Sequence, residues 1–316
     1  MVEFHHIPVL LDGVMSILAP QSGERYLDVT LGGAGHASEV AKRLMPNGVL
    51  VGFDRDPAAQ EAAQARLSVF DLSKRFFMES FETFDSTLRA HQIPDREAGG
   101  GFDVVLADFG LSSPQIDDEA RGFSFHSKAP LDMRMSQSGM TAGEFLSQVK
   151  PEALADILYQ YGDIRQSRVL ARRICEAAAQ GKMNTTLDLA EVSCGVLGAP
   201  RVGKPHPATR VFQAIRIEIN GEFLAIDAFL EHIPKWMRPG GRLAVISFHS
   251  GEDRRVKEAM RRWQNPCTCP PQLPVCVCHK HSIGKALTRK PIEATPEELS
   301  QNSRARSAKL RGFLFD

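Results

Sequence analysis

No stretch of this sequence approaches the roughly 18 consecutive apolar residues that a membrane-spanning helix needs, so no membrane partner is expected. The opening Met1-Val-Glu-Phe-His-His6 lacks the basic region and apolar run of a secretion signal, and a cytoplasmic location is expected. Charge of one sign is also missing: 38 Lys and Arg balance 38 Asp and Glu. Nothing global therefore attracts a polyanion, and any nucleic-acid contact must use local basic patches. Cysteine is sparse, with six in 316 residues. An even count in a small secreted chain would suggest disulfides. In a chain this large without a signal, reduced thiols or metal ligands are expected instead. What remains is an ordinary globular balance, 43% hydrophobic and 24% charged, long enough for one large domain with an insertion or for two modest ones.

From Arg25 the pattern alternates strand and helix. Tyr26 to Leu31 has strand composition, Gly32-Gly-Ala-Gly35 breaks it, and Ala37 to Met45 reads as a helix. Asn47-Gly48 turns the chain into the apolar run Val49 to Phe53, and Pro57 stands where a next helix would open. Arg75 to Met78 and Phe102 to Ala107 predict two further buried strands. Such alternation implies an α/β fold with a parallel sheet covered on both faces. Four helical segments follow without a strand-like run: Ala142 to Val149, Pro151 to Tyr161, Ile164 to Ala179 and Thr185 to Leu197. One long helix is predicted from Ala208 to His232, and the sheet resumes with Arg242 to Phe248. The expected organisation is a first sheet segment over 1–117, a helical insertion over 118–206, and a second sheet segment over 207–316 that ends in Cys-rich and basic stretches.

Glycines after a first strand let the backbone pass close to a ligand while the next helix presents unpaired N–H groups. NAD, a nucleotide or S-adenosylmethionine would each suit such a loop. The dinucleotide fingerprint lacks its third glycine here, since Ser38 ends Gly33-Ala-Gly35-His-Ala-Ser38. Asp54, about twenty residues beyond the loop, ends the second strand where a carboxylate can accept from both hydroxyls of a ribose. Asp108-Phe-Gly-Leu-Ser-Ser-Pro-Gln115 begins where a parallel strand should end, at the sheet edge that holds ligands in open α/β folds.

These residues carry a resemblance. His6-Ile-Pro-Val-Leu-Leu11, Asp28-Val-Thr-Leu-Gly-Gly-Ala-Gly-His36, Asp54-Arg-Asp-Pro57, Asp108 to Gln115, Arg121-Gly-Phe-Ser-Phe125 and Ala129-Pro-Leu-Asp-Met-Arg-Met135 resemble the bacterial MraW family. So do His206 to Arg216, Ile246-Ser-Phe-His-Ser250 and Asn302-Ser-Arg-Ala-Arg-Ser307, all in order along the chain. The resemblance implies a class I, Rossmann-like S-adenosylmethionine-dependent methyltransferase sheet with an inserted helical domain. It also implies a substrate, the exocyclic N4 of a cytidine in the decoding region of 16S ribosomal RNA in an assembled small subunit. By the same resemblance, Gly33, Ala34, Gly35 and His36 line the methionine end of the cofactor, Asp54 holds the ribose and Phe81 lies against the adenine. Asp108 and Gln115 complete that pocket. Two positions depart from the family pattern: Gly251 stands where Leu is usual, and Ser136 where an acid is usual.

An aryl amine is a poor nucleophile because its lone pair is delocalised, and a site must accept hydrogen bonds from it so that the nitrogen rehybridises. Ser112-Ser113-Pro114 is the candidate catalytic segment, because proline fixes φ and leaves the preceding carbonyl free to face a base. An ordinary turn is the alternative, and Gln115 replaces the second proline of the related amino-methyltransferase loop. Candidate substrate-binding residues are Arg134, His206, Arg210, Asn220 and His249. Arg210, Gln213 and Asn220 lie near one face of the long helix, among Val211, Phe212, Ile215 and Ile219; buried polar groups there need partners, in substrate or in a structural network. No metal is expected. Cys267-Thr-Cys269 and Cys276-Val-Cys278 form C-x-C pairs, whereas tetrahedral zinc sites generally use C-x2-C or longer ones, so a structural zinc there is not favoured. Competing readings are a methyltransferase for DNA amino groups or a small molecule, for which the helical insertion argues badly, and an assembly factor that binds the cofactor without turnover.

Overall fold

The computed structural model describes residues 8–110, 118–136, 138–270, 275 and 277–316. Two compact units emerge: Met1–Gly110 with Leu224–Asp316, and Leu111–Phe223.

The first unit is built on a seven-stranded sheet. Its strands are β1 (Arg25–Asp28), β2 (Val49–Phe53), β3 (Ser73–Phe77), β4 (Phe102–Asp108), β5 (Met237–Ser247), β6 (Gly284–Ala286) and β7 (Lys309–Phe315), and they lie in the order β3-β2-β1-β4-β5-β7-β6. The first five pair in parallel, with Asp28 opposite Gly52 and Leu106, and Asp108 opposite Ile246. β7 is antiparallel to both β5 and β6. The chain order reverses between β1 and β4, which places the topological switch, and hence the ligand crevice, at the carboxyl ends of those strands.

Helices α1 (Leu11–Leu18), α2 (Gly35–Leu44), α3 (Pro57–Leu67), α4 (Phe84–Ala90), α10 (Glu222–His232, belonging to this unit from Leu224), α11 (Ser250–Gln264) and α12 (Pro296–Gln301) accompany the sheet. β2 is apolar at every position because both its faces are covered. Val14, Leu18, Val40, Leu44, Leu50, Val104 and Leu310 share one fully buried cluster. Gly52 is required in β2: a Cβ there would come within 2.7 Å of a Leu31 methyl.

The helical unit contains α5 (Ala142–Gln148), α6 (Pro151–Gly162), α7 (Ser167–Ala179), α8 (Thr186–Leu197) and α9 (Ala208–Asn220). Thr141 with Glu144, and Thr185 with Asp188, form capping boxes that fix where α5 and α8 begin. The core joins Leu131, Met133, Leu154, Leu158, Leu170, Ile174, Val211 and Ile215.

Three expectations need correction. The long helix predicted over Ala208–His232 is two helices, because Gly221 adopts φ 61° and ends α9. α9 packs its apolar face into the helical core, so the unit closes at Phe223 rather than at 206. The basic C-terminal stretch contains β7, whose Arg311 is buried and held in a two-pronged pair by Asp253, at 2.7 and 3.1 Å. Arg311 is therefore a structural cation.

Candidate cofactor site

The crevice is made by the turns that leave β1, β2 and β4. After β1, the Val29 amide donates to the Leu106 carbonyl and the Leu31 amide to the Phe53 carbonyl, which tie the glycine loop to both neighbouring strands. Gly32 and Ala34 take φ 50° and 57°, and α2 starts immediately afterwards. A Cβ built on Gly33 meets nothing within 4 Å, so the loop leaves open space beside its backbone, whereas one on Gly35 would sit 2.8 Å from the Pro8 ring. His36, nearly buried, places Nε2 2.8 Å from the Val9 carbonyl. A carbonyl only accepts, so Nε2 carries the proton and Nδ1, 3.7 Å from Asp108 Oδ2, faces the acid.

Four acids converge on this edge. Asp28, closing β1, accepts from the Tyr26 hydroxyl (2.7 Å) and the Thr30 amide (3.1 Å). Burial nevertheless lifts its pKa to about 6, because desolvation outweighs those two hydrogen bonds. Asp54 accepts from the Gly32 and Asp56 amides, each at 2.8 Å, so one carboxylate orients the glycine loop and the start of α3 together. Its pKa is also raised, chiefly by burial. Asp108 is pushed well above the usual carboxylate range, first by burial and then by the charges of Asp28 and Glu252. Its Oδ1 is shut off from solvent and has no hydrogen-bond partner among the described residues. Glu252 is fully buried in the first turn of α11, where Oε2 accepts from the Phe248 amide at 2.7 Å. His249 caps that helix: Nδ1 accepts from the Gly251 amide, which puts the proton on Nε2, 3.2 Å from Glu252 Oε1.

An aromatic shelf adjoins the acids. Phe81 opens a short 3-10 turn capped by the Ser80 hydroxyl, and its half-buried ring tilts against Phe109, 5.4 Å away. Phe109 is itself buried against Phe229.

The crevice unit thus brings together Gly33, Ala34, Gly35, His36, Asp54 and Asp108 on adjoining turns, with Phe81 packed on the residue that follows Asp108. Ser112, Ser113, Pro114 and Gln115 lie outside the described residues. The remaining candidates divide sharply. Arg134 grips Asp132 with two prongs, at 2.8 and 2.7 Å, and donates to the Gly139 carbonyl. Asn220 accepts from the Met135 amide and donates to the carbonyls of Met133 and Arg216, so its whole amide is occupied in pinning the 133–135 turn to α9. His206 caps α9 through Nδ1 and stacks on Phe125 at 4.6 Å. Arg210 is exposed. Two acids, Asp28 and Glu252, escaped the sequence reading as site residues. The only signal for Asp28 was its place as a polar residue closing an apolar strand; for Glu252 it was the offset of three from the capping His249.

The donor set fits S-adenosylmethionine on this structure's own terms. The cofactor carries an ammonium and a sulfonium, and the crevice offers an orphaned buried carboxylate oxygen among mutually repelling acids, with no basic side chain hydrogen-bonded to Asp28, Asp54 or Asp108 among the described residues. A parallel sheet with a single antiparallel strand inserted near its edge, a glycine loop after β1 and acids at the ends of β1, β2 and β4 define a class I S-adenosylmethionine-dependent methyltransferase. The model for the MraW methylase family matches residues 3–314, and the chain belongs to that family. It is 44% identical over 315 residues to the ribosomal RNA small subunit methyltransferase H of Symbiobacterium thermophilum, covering 99% of this chain and 97% of that one. The protein of the same name from Trichlorobacter lovleyi is 42% identical, with 98% of each chain covered. That from a Paenibacillus species is 41% identical, again with 98% of each covered.

Proposed function

We propose that this enzyme transfers the methyl group of S-adenosyl-L-methionine to the N4 amino group of a cytidine in the decoding region of small-subunit (16S) ribosomal RNA, within the assembled subunit. The observation that carries the cofactor half is the buried Oδ1 of Asp108, which has no hydrogen-bond partner among the described residues and which a ligand cation would satisfy. The substrate half is supported by the name its relatives share.

When bound, the cofactor supplies an electrophilic methyl group on a sulfonium. Asp54, already aimed by two amides, keeps lone pairs for the ribose hydroxyls. Phe81 offers a ring face to the adenine, and Gly33 to His36 pass beside the methionine portion, with Asp108 accepting from its ammonium. Gln115 completes the pocket. Ser112, Ser113 and Pro114 hold the target amine, with the carbonyl before Pro114 accepting one of its N–H bonds so that the lone pair turns outward. Arg210 meets RNA phosphate, and His206 orders the start of its helix. Arg134 and Asn220 position the turn over 133–135 against the substrate, and His249 with Glu252 fixes the turn after β5. The amine proton passes to water after transfer, so no general base is required.

Incubation with tritiated cofactor separates the readings. Label entering assembled small subunits, with little entering naked RNA, supports the proposal. Label on DNA would replace it with the DNA enzyme, and cofactor binding without transfer to any acceptor would make the protein a binding factor.

A further inference from the structure

Between α11 and β6 the chain runs from Asn265 to Ile283 without one fully buried residue among those described. Its ends are tied together, since the Ile283 amide donates to the Trp263 carbonyl at 3.0 Å and the Ala286 amide to Gln264 Oε1 at 2.9 Å. The described residues between them form no apolar core, and Val275 and Val277 stand in solvent at 70% and 63% exposure. A segment of this kind needs a staple.

The structure gathers sulfur there. The thiols of Cys267, Cys269 and Cys278 lie within 4.8 Å of one another, although the third is nine residues beyond the second. None of the described cysteines is in a disulfide. Zinc holds thiolates at about 2.3 Å, which makes each S···S edge of a tetrahedral site about 3.8 Å. Cys278 Sγ stands 3.8 Å from Cys267 Sγ. The Val277 amide donates to Cys269 Sγ at 3.3 Å, the kind of outer bond that stabilises a metal-bound thiolate.

We propose that Cys267, Cys269 and Cys278 bind a structural zinc ion, which folds the segment between α11 and β6. The C-x-C spacing that argued against zinc in the sequence matters less than the observed proximity of Cys278, from the second pair, to the thiols of the first. Cys276 lies outside the described residues, and the assignment rests on the other three. Zinc binding would here be folding free energy for a loop that has little other source of it.

The test uses the full chain purified without chelator. Elemental analysis is expected to find about one zinc per chain, released by a mercurial reagent and lost in Cys278→Ser. Cobalt(II) exchanged into the wild-type protein is expected to give thiolate charge-transfer absorption and tetrahedral visible bands. That spectrum decides the matter even if the variant does not fold. Protein free of metal whose clustered thiols react at once with Ellman's reagent would overturn the proposal, as would iron in place of zinc.

Discussion

The carboxyl edge of the sheet and the surroundings of α9 in the helical unit treat their polar groups in opposite ways. In the helical unit three polar side chains that brace α9 and the turn beside it are answered: Arg216 is held by Glu222 at 2.8 and 2.9 Å, Arg134 by Asp132, and Asn220 by three backbone groups. At the sheet edge Asp28, Asp54 and Asp108 repel one another across buried space, and Asp108 Oδ1 has no partner among the described residues. A satisfied network makes one structure rigid, whereas an unsatisfied one stores a demand that a ligand can meet. Residue type alone does not separate the two, because an Asn or Arg on a half-buried helix and an Asp at a strand end look equally purposeful.

Substitutions can sharpen that division. Asp54→Ala is expected to weaken cofactor binding by about 100-fold or more, since two hydrogen bonds to a carboxylate are lost. Calorimetric titration checks it, and unchanged binding would refute the placement of the ribose. Asn220→Ala should do the reverse: unfolding midpoints are expected to fall by about 2–3 kcal/mol equivalent as its three backbone partners lose their bonds, with cofactor affinity unaltered. A large loss of affinity in that variant would break the contrast. Gly33→Ala, with open space for its methyl group, should leave stability within about 1 kcal/mol yet cost about tenfold in cofactor affinity, because the cofactor would use that space. The smallest effect is in pH. Folded Asp28 keeps its proton up to about pH 6, while an unfolded aspartate loses it at about pH 3.9, and each tenfold difference in proton affinity is worth about 1.36 kcal/mol. The raised value means this group costs stability as pH rises across that window, and a cationic ligand must displace the proton to profit from the charge. Binding of a cationic cofactor to these raised acids is therefore expected to release protons, seen as a dependence of binding enthalpy on the buffer, and its affinity is expected to fall as the medium is made more acidic.

β2 and β4 were legible because they are apolar runs closed by turn residues: the span predicted for β2 is the one observed, and β4 extends one residue past its prediction, to Asp108. β3 was read only in part, since it begins at Ser73 rather than Arg75 and, at the edge of the sheet, is exposed at Ser73 and Arg75 rather than buried. β7 was not legible. Its run Lys309-Leu-Arg-Gly-Phe-Leu-Phe315 opens in a basic stretch, and only the pairing of Arg311 with Asp253 makes burial of that charge tolerable. Gly221 was visible, but its left-handed turn competed with strong helical periodicity on either side. At the site, Gly32 to His36, Asp54 and Asp108 were readable from position at strand ends. Asp28 and Glu252 were not, because their significance is the charge they impose on Asp108, which arises only when separate strands meet.

Asp108→Asn tests that charge arrangement most directly, with thermal unfolding and cofactor titration measured on the same preparation at pH 8. Removing a buried, repelled carboxylate should leave the protein as stable as the wild type or more so, while the affinity for S-adenosylmethionine drops at least about tenfold. A variant that is less stable and binds the cofactor normally would show that the acid serves the fold and not the ligand.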